Sequence, residues 1–497
     1  MDEHTSTPPG ATPDRHHRMT PTQRRVTLVV SAMVGLTLLV VAGLTFLMPP
    51  MAEDLRLSDT TVELAFAVPS IAALLIIFVA GQLGEQLGDR LVVIVSGGGF
   101  TLGSLLVAGA HGATAVTIGL GVCGATATAL QIVALDLLQR TVPHGPAHTS
   151  AFTTYGMVFP LAFLVVPIAT AGLLEVTAWR WIPIVWAGAG LVIVLAGWLG
   201  LDRSPERRPV GDWLTPLLAG VVVATLARIC EEIGHANVGS VRMLATLAAG
   251  VLAGGSCALL VRRPRPSGFG FGPIRGLDLR AMLGGVAAVT LVAMLTYVTV
   301  AMEHLYGWSI LDVALAVVPA QVGAVVGAKG LASWAITRWG TERAGRVLLL
   351  AVGPSTLPLV LVQPGTPPWY LIAVATVFSG LGMAALTVLN AGVMARAPLD
   401  ATGPVSAFRG AASALGSGLG VVVLGTGVIS ATQMDADGPV GSAGLDRLAG
   451  ALRLDGVLAC GLALAGWLAL VLLERRAHRG GRGDLGDRED AAATPTP

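Results

Sequence analysis

Gly81-Gln82-Leu83-Gly84-Glu85-Gln86-Leu87-Gly88-Asp89-Arg90 is a glycine-rich, charged hinge between two long apolar runs, and a weaker echo, Ser333-Trp334-Ala335-Ile336-Thr337-Arg338-Trp339-Gly340, follows 252 residues later. One chain thus carries one device twice. Glycines spaced as Gly84 and Gly88 let two helices and a tight turn approach closely, while Glu85 and Arg90 stand where a membrane helix meets water and can pair across the turn. Those features suit a conformational latch better than a reaction centre.

The surrounding composition sets the medium. With 54% hydrophobic and only 12% charged residues over 497 positions, the chain is excluded from the ordinary soluble class and reads as an all-α, multi-spanning membrane protein. A single lysine against 30 arginines, with abundant Ala, Gly and Val, suggests a high-GC bacterial genome. Cys123, Cys230, Cys257 and Cys460 stand alone inside apolar runs. They read as small packing residues, so neither a disulfide nor a metal site is expected.

A helix rising about 1.5 Å per residue needs about 20 apolar residues to cross the hydrocarbon core. That ruler places fourteen spans, near 26–48, 62–83, 91–110, 114–137, 151–173, 181–201, 213–232, 241–261, 281–302, 311–333, 344–363, 369–392, 405–430 and 453–473. A count of 12 or 13 with a re-entrant segment is the alternative. With the N-terminus inside, the inner segments hold 24 basic residues, counting Arg346 and Arg409 near the inner ends of their spans with the adjoining loops, and the outer loops only Arg56, Arg180, Arg242, Arg447 and Arg453, while Arg228 and Lys329 fall within spans. The positive-inside rule then puts both termini in the cytoplasm. The run before the first span, 1–25, reads as a polar tail, 262–280 as a linker and 474–497 as a disordered, charged tail. Nothing in these segments indicates nucleic-acid binding.

The hinge resembles the loop motif of the major facilitator superfamily, roughly G-x-L-a-D-r-x-G-r-r, with Gly81, Leu83, Glu85, Gly88 and Arg90 matching and Glu in place of Asp. Further strings are similar to the fourteen-span drug:proton antiporter branch: Trp179-Arg180-Trp181, Asp212-Trp213, Gly307-Trp308-Ser309 before Pro319, and Gly418-x-Gly420 before Gly425. The resemblance implies two six-helix bundles, 26–201 and 281–473, with two inserted spans at 213–261. It further implies alternating access around a central site, the latch at 81–90, a decayed copy at Arg338 and Gly340, and Glu85 as the latch acid facing a helix N-terminus of the other bundle. The span 5 pattern survives only around Pro167 and Gly172, which read either as a generic kink or as a gating hinge against the opposite bundle.

The chain also departs from that pattern. The position of the usual span 1 aspartate aligns with Val40 and that of the usual span 4 arginine with Ile118, so both members of a buried charge system are missing. Losing both is physically coherent, because removing one alone would strand a charge in low dielectric. Glu303, near the outer end of span 9, is the replacement proton carrier or else an ordinary boundary carboxylate. Arg228 with Glu231 and Glu232, and Asp136 with Arg140, read as boundary ion pairs, and Lys329 as a snorkelling side chain.

The expected function is secondary transport: export of a drug, antibiotic or secondary metabolite, driven by an ion gradient and most simply by protons. No phosphate-cradling loop surrounds the lone Lys329, no cofactor is implied, and no nucleophile and base pairing points to an enzyme. The expected partners are the lipid bilayer, an amphiphilic small molecule and protons, with the chain acting as a monomer in a bacterial plasma membrane. Movement of an endogenous metabolite, or a sensor or scaffold role, are the rival readings.

Overall fold

Backbone N–H and C=O groups inside a bilayer find no water and must be satisfied within the protein, which favours helices. The computed structural model describes residues 19–142, 145–201, 212–234, 240–262, 279–398, 401–433 and 442–492, and among these there is no strand. Six helices come first: α1 (Pro21–Leu55), α2 (Asp59–Leu87), α3 (Asp89–Ala108), α4 (Ala113–Thr141), α5 (Pro146–Val176) and α6 (Trp181–Gly200). Two more, α7 (Leu214–Gly234) and α8 (Val241–Val261), precede α9 (Leu279–Tyr306) and α10 (Ile310–Val326). A π-helical turn, Gly327–Leu331, joins α10 to α11 (Ala332–Thr356), which ends in a 3-10 turn, Leu357–Leu361. The chain closes with α12 (Pro368–Ala395), α13 (Thr402–Gly420), a second π turn (Val421–Gly425), α14 (Thr426–Gln433) and α15 (Ser442–Ala492).

Thirteen continuous helical stretches are long and apolar enough to span a membrane. One of them, Leu311–Leu361, is 51 residues long. At 1.5 Å per residue that is about 77 Å, far beyond one crossing. Gly340 breaks it with φ 73° and ψ 161°, so the stretch holds two spans and the fourteen expected are accounted for. The tail expected to be disordered from 474 is instead described as helix as far as Ala492. No proline stands before Pro495 to end it. The linker at 262–280 lies almost wholly outside the described residues, and so does most of the tail at 1–25.

The same pairings occur twice. In the first half α1 packs on α4 and α5, α2 on α4, and α3 on α4 and α6; in the second α9 packs on α12 and α13, α10 on α12, and α11 on α12 and α15. The halves meet through α2 against α13 and α10 against α5, a pair of contacts that exchange under the same correspondence. Helices α7 and α8 pack on each other, and α7 lies against α2 and α13. The end of the first half opposite the glycine hinges is pinned where Asp54 accepts hydrogen bonds from Trp179 Nε1 at 2.9 Å and Arg180 Nη1 at 2.7 Å. That joint accounts for the Trp179-Arg180 string.

The repeated hinge is a repeated backbone conformation. Gly88 has φ 83° and ψ 144°, and Gly340, 252 residues later, has φ 73° and ψ 161°. A side chain is costly at such φ, so each glycine permits the sharp reversal into the next helix. Gly88→Ala and Gly340→Ala are each expected to destabilise by about 1–3 kcal/mol, read as a lowered thermal unfolding midpoint in detergent. Gly188→Ala, mid-helix with nothing within 4 Å of the added carbon, is expected to be neutral or stabilising.

Candidate functional site

A cavity of about 600 Å³ lies between the halves, walled by α2, α4 and α5 on one side and α9, α10, α12 and α13 on the other. That volume suits a drug-sized molecule. Its wall is mainly apolar, with Phe152, Phe159 and Phe163 from α5 and Met383, Leu386 and Met394 from α12. Polar groups are spread around it, among them Gln131, Tyr155, Gln321, Thr387, Asn390 and Ser413. Among the described lining residues one is ordinarily charged at neutral pH, Arg409 on α13.

One end of the cavity is shut. Each hydrogen bond found between the two halves, among the described residues, lies towards the end of the molecule that carries the glycine hinges. Arg140 Nε sits 3.0 Å from Asp136 Oδ1 and donates to Thr402 Oγ1 at 3.2 Å, while the Thr402 hydroxyl donates to Asp136. Asp136 lies in the last two turns of α4 of the first half and Thr402 is the first residue of α13, so an acid meets a helix N-terminus, the favourable end of the dipole. Beside them α2 touches α13 without intervening side chains. A Cβ on Gly403 would lie 2.3 Å from the Gly81 carbonyl oxygen. Across the interface Lys329 Nζ, on the π turn after α10, donates to Ser150 O at 3.0 Å and Thr154 Oγ1 at 2.5 Å, and Ser333 Oγ pairs with Thr153 Oγ1 at 3.1 Å.

Several sequence expectations land elsewhere. Gly81 and Gly88 act as glycines must, by close approach and by positive φ. Leu83 packs into the first-half core and Glu85 is half-buried in the last turn of α2. Arg90 does not close the turn onto Glu85: its Nη2 donates to the Trp198 carbonyl at 2.9 Å, with the guanidinium 5.5 Å from that ring. Placed two residues after the positive-φ glycine, it meets α6 instead. In the second hinge, Arg338 lies two residues before Gly340, and Glu342 pairs with Arg396. Pro167 and Gly172 are not at the interface. Their stretch of α5 packs on α1 of the same half, where Gly43 faces Val166 and Thr170, and Gly172 has nothing within 4 Å of an added Cβ. Pro160, one helical turn beyond Gly156, is the α5 proline that lines the cavity. Glu303 is half-buried in the last turn of α9 and is not among the lining residues.

The missing charges also take a definite place. Val40 is buried in the first-half core, whereas Ile118 is 55% exposed on the outer flank of α4. The buried face of that part of α4 carries Val116, Leu120, Cys123 and Ala127, so no guanidinium stands there in any register. Three functional candidates escaped the sequence reading. Asp136 was read as a boundary pair, Lys329 as a snorkelling residue, and Arg409 was counted with the inner loop although it lies inside α13. The signal for Arg409 was present: an arginine several residues within an apolar span is a functional position by default.

Comparison with known proteins accords with this geometry. The model of the family described as Major Facilitator Superfamily matches residues 30–421. The puromycin resistance protein pur8 of Streptomyces alboniger is 27% identical over 389 residues, 76% of each chain. The multidrug efflux pump LfrA of Mycolicibacterium smegmatis is 24% identical over 410 residues, 81% of this chain and 80% of its own. Among solved structures, the human organic anion transporter MFSD10 (TETRAN) superposes with a TM-score of 0.64 over 91% of this chain and all of its own, at 17% identity. At that identity the likeness shows the fold alone.

The shut end is open to test by enlarging its tightest contact. Gly403→Ala and Thr402→Val are each expected to lengthen the distance between spin labels at Leu91→Cys and Arg343→Cys, in a background lacking the four native cysteines. Double electron–electron resonance measures it; an unchanged distribution in both variants would remove this joint from the closure.

Proposed function

Because the chain belongs to the major facilitator superfamily, we propose that it is a secondary transporter exporting an antibiotic or other amphiphilic secondary metabolite across a bacterial plasma membrane. The observation that carries the reading is the cavity of about 600 Å³ walled by both halves and shut at one end by hydrogen-bonded contacts between them. A cavity between two repeats that is sealed on one side is what alternating access requires. The names of the relatives, a puromycin resistance protein and a multidrug efflux pump, support export of drug-like molecules.

In this proposal the bundles 26–201 and 281–473 rock about the cavity, with 213–261 as an inserted pair and the chain working as a monomer. The hinge end faces the cytoplasm, as the distribution of arginines indicates, so the described conformation is closed inwards. Substrate enters when the Asp136–Thr402 and Lys329–Ser150 contacts part, and leaves after they reform. The energy comes from an ion gradient, most simply of protons.

Glu303 is the proposed proton carrier, set against Asp455 of α15, which is only 2% exposed and has one carboxyl oxygen without a hydrogen-bond partner. Expression in a pump-deficient bacterial host is expected to lower accumulation of puromycin-like and amphiphilic drugs, and a protonophore to restore it. Unchanged accumulation across such a panel, with transport of a metabolite instead, would sink the exporter reading. Glu303→Gln is expected to flatten the pH dependence of efflux. If that dependence persists there and is lost in Asp455→Asn, the carrier is Asp455.

A further inference from the structure

Arg409 lies seven residues into α13 from Thr402, about 10 Å from the shut end at 1.5 Å per residue and still 11 residues short of Gly420. It therefore lies inside the span, in the third nearest the shut end, and not in the loop before it. No carboxylate pairs with it among the described residues, and its Nε atom is buried without a hydrogen-bond partner. A guanidinium stays protonated in proteins and is costly to hold in low dielectric without a counter-charge. The surrounding wall supplies none: the described lining holds no Asp or Glu.

Two further polar atoms share its condition. The Tyr155 hydroxyl and Thr387 Oγ1, on α5 and α12, are also buried and without partners, and both residues line the same cavity. Tyr155 and Arg409 face this cavity from opposite halves. Three helices thus aim unpaired hydrogen-bonding groups into one space, and a buried polar group left unpaired in a native protein calls for an explanation. The remaining wall is apolar and aromatic, with Phe159 edge-on to Tyr155 at 5.8 Å between ring centres.

We propose that this cavity is a binding site for amphiphilic organic monoanions, with Arg409 taking the anionic head, Tyr155 and Thr387 completing its hydrogen bonds, and the phenylalanines of α5 holding the apolar body. A single guanidinium neutralises a single negative charge, which favours a carboxylate, sulfonate or enolate over a dianion. Arg presents a planar fork that matches such heads in bidentate geometry. A cationic drug would bring a second positive charge into the same low-dielectric space and is disfavoured. The inference rests on the exporter reading for the direction of movement, whereas the binding site itself does not depend on it.

A matched probe series tests it on the full-length protein in detergent: 1-pyrenebutyrate, 1-pyrenebutanol and a pyrenebutyl-trimethylammonium salt share one apolar body and differ in head charge. Binding is read by energy transfer from tryptophan to pyrene. A charge-assisted hydrogen bond leads us to expect the butyrate to bind about tenfold or more tightly than the other two. Arg409→Gln is expected to bring the butyrate down to the alcohol's level and leave the alcohol unchanged, and Arg409→Lys to keep a preference for the anion. Equal affinities for the three probes in the natural protein, preference for the cation, no binding by any probe, or a preference that survives Arg409→Gln would each overturn the assignment. The preference of the natural protein decides even where the glutamine variant does not fold. Failure of efflux in cells with the anion preference intact would remove export and leave the site standing.

Discussion

Two backbones touch where Gly81 meets Gly403, and the closure of the cavity is organised around that approach. Any Cβ at Gly403 would intrude on the Gly81 carbonyl, so α2 and α13 can lie this close only as glycines. The close approach brings the end of α4 under the N-terminus of α13, where Asp136 meets Thr402 and Arg140. The hydrogen bonds that join the halves are few, and they stand beside apolar packing in which Phe78 of α2 meets Phe408 of α13 edge-on at 4.8 Å between ring centres. An interface of this kind is separable: each hydrogen bond is worth about 1–3 kcal/mol net even when a charged group takes part.

The two hinges share their backbone but not their charges. Gly88 and Gly340 adopt nearly the same positive-φ conformation, which marks the internal repeat in three dimensions. Around the first, Asp89 and Asp136 each point an unpartnered buried oxygen towards Gly84, whose added Cβ would stand 3.3 Å from one and 3.6 Å from the other. Around the second, Glu342 pairs with Arg396 near the surface. Charge is thus concentrated at the hinge of the first half, beside the joint. The second half contributes its cation, Lys329, through a π turn that brings it against the backbone and hydroxyls of α5.

Much of the fold was legible because it is written locally. Apolar run length marks a span, and a glycine after a helical run marks a reversal, so the fourteen spans and the hinge pair could be read from the chain in order. Gly340 was legible for the same reason, even though it interrupts a helical stretch of 51 residues. The joint was not, because Asp136 and Thr402 are 266 residues apart and an i,i+4 partner, Arg140, gave Asp136 a sufficient local explanation. Lys329 was expected to snorkel, whereas the π turn Gly327–Leu331 sets it against α5, where it donates to Ser150 and Thr154. Arg90 was misjudged because proximity in sequence favoured Glu85, while packing of α3 on α6 offered Trp198. Arg409 was not legible as a cavity residue because it stands only seven residues after Thr402, close enough to the preceding loop to group with its basic residues.

Arg409 and Thr402 ride on one helix. Because α13 is continuous from Thr402 to Gly420, the side chain that meets the cavity and the one that closes its end are fixed on a single rod about two turns apart. A ligand that engages the guanidinium also spans to α5 and α12, the helices that carry Tyr155 and Thr387. Its binding energy therefore depends on how α13 stands relative to the first half, which is the coordinate that opens and shuts the joint. A ligand can shift a conformational equilibrium only through differential affinity for the two states. Here the geometry provides one, since rocking α13 away from α5 separates the Arg409 contact from the Tyr155 contact. Removal of the usual span 1 and span 4 charges, at Val40 and along the buried face of α4, leaves the wall of the first half without a charge to compete with it.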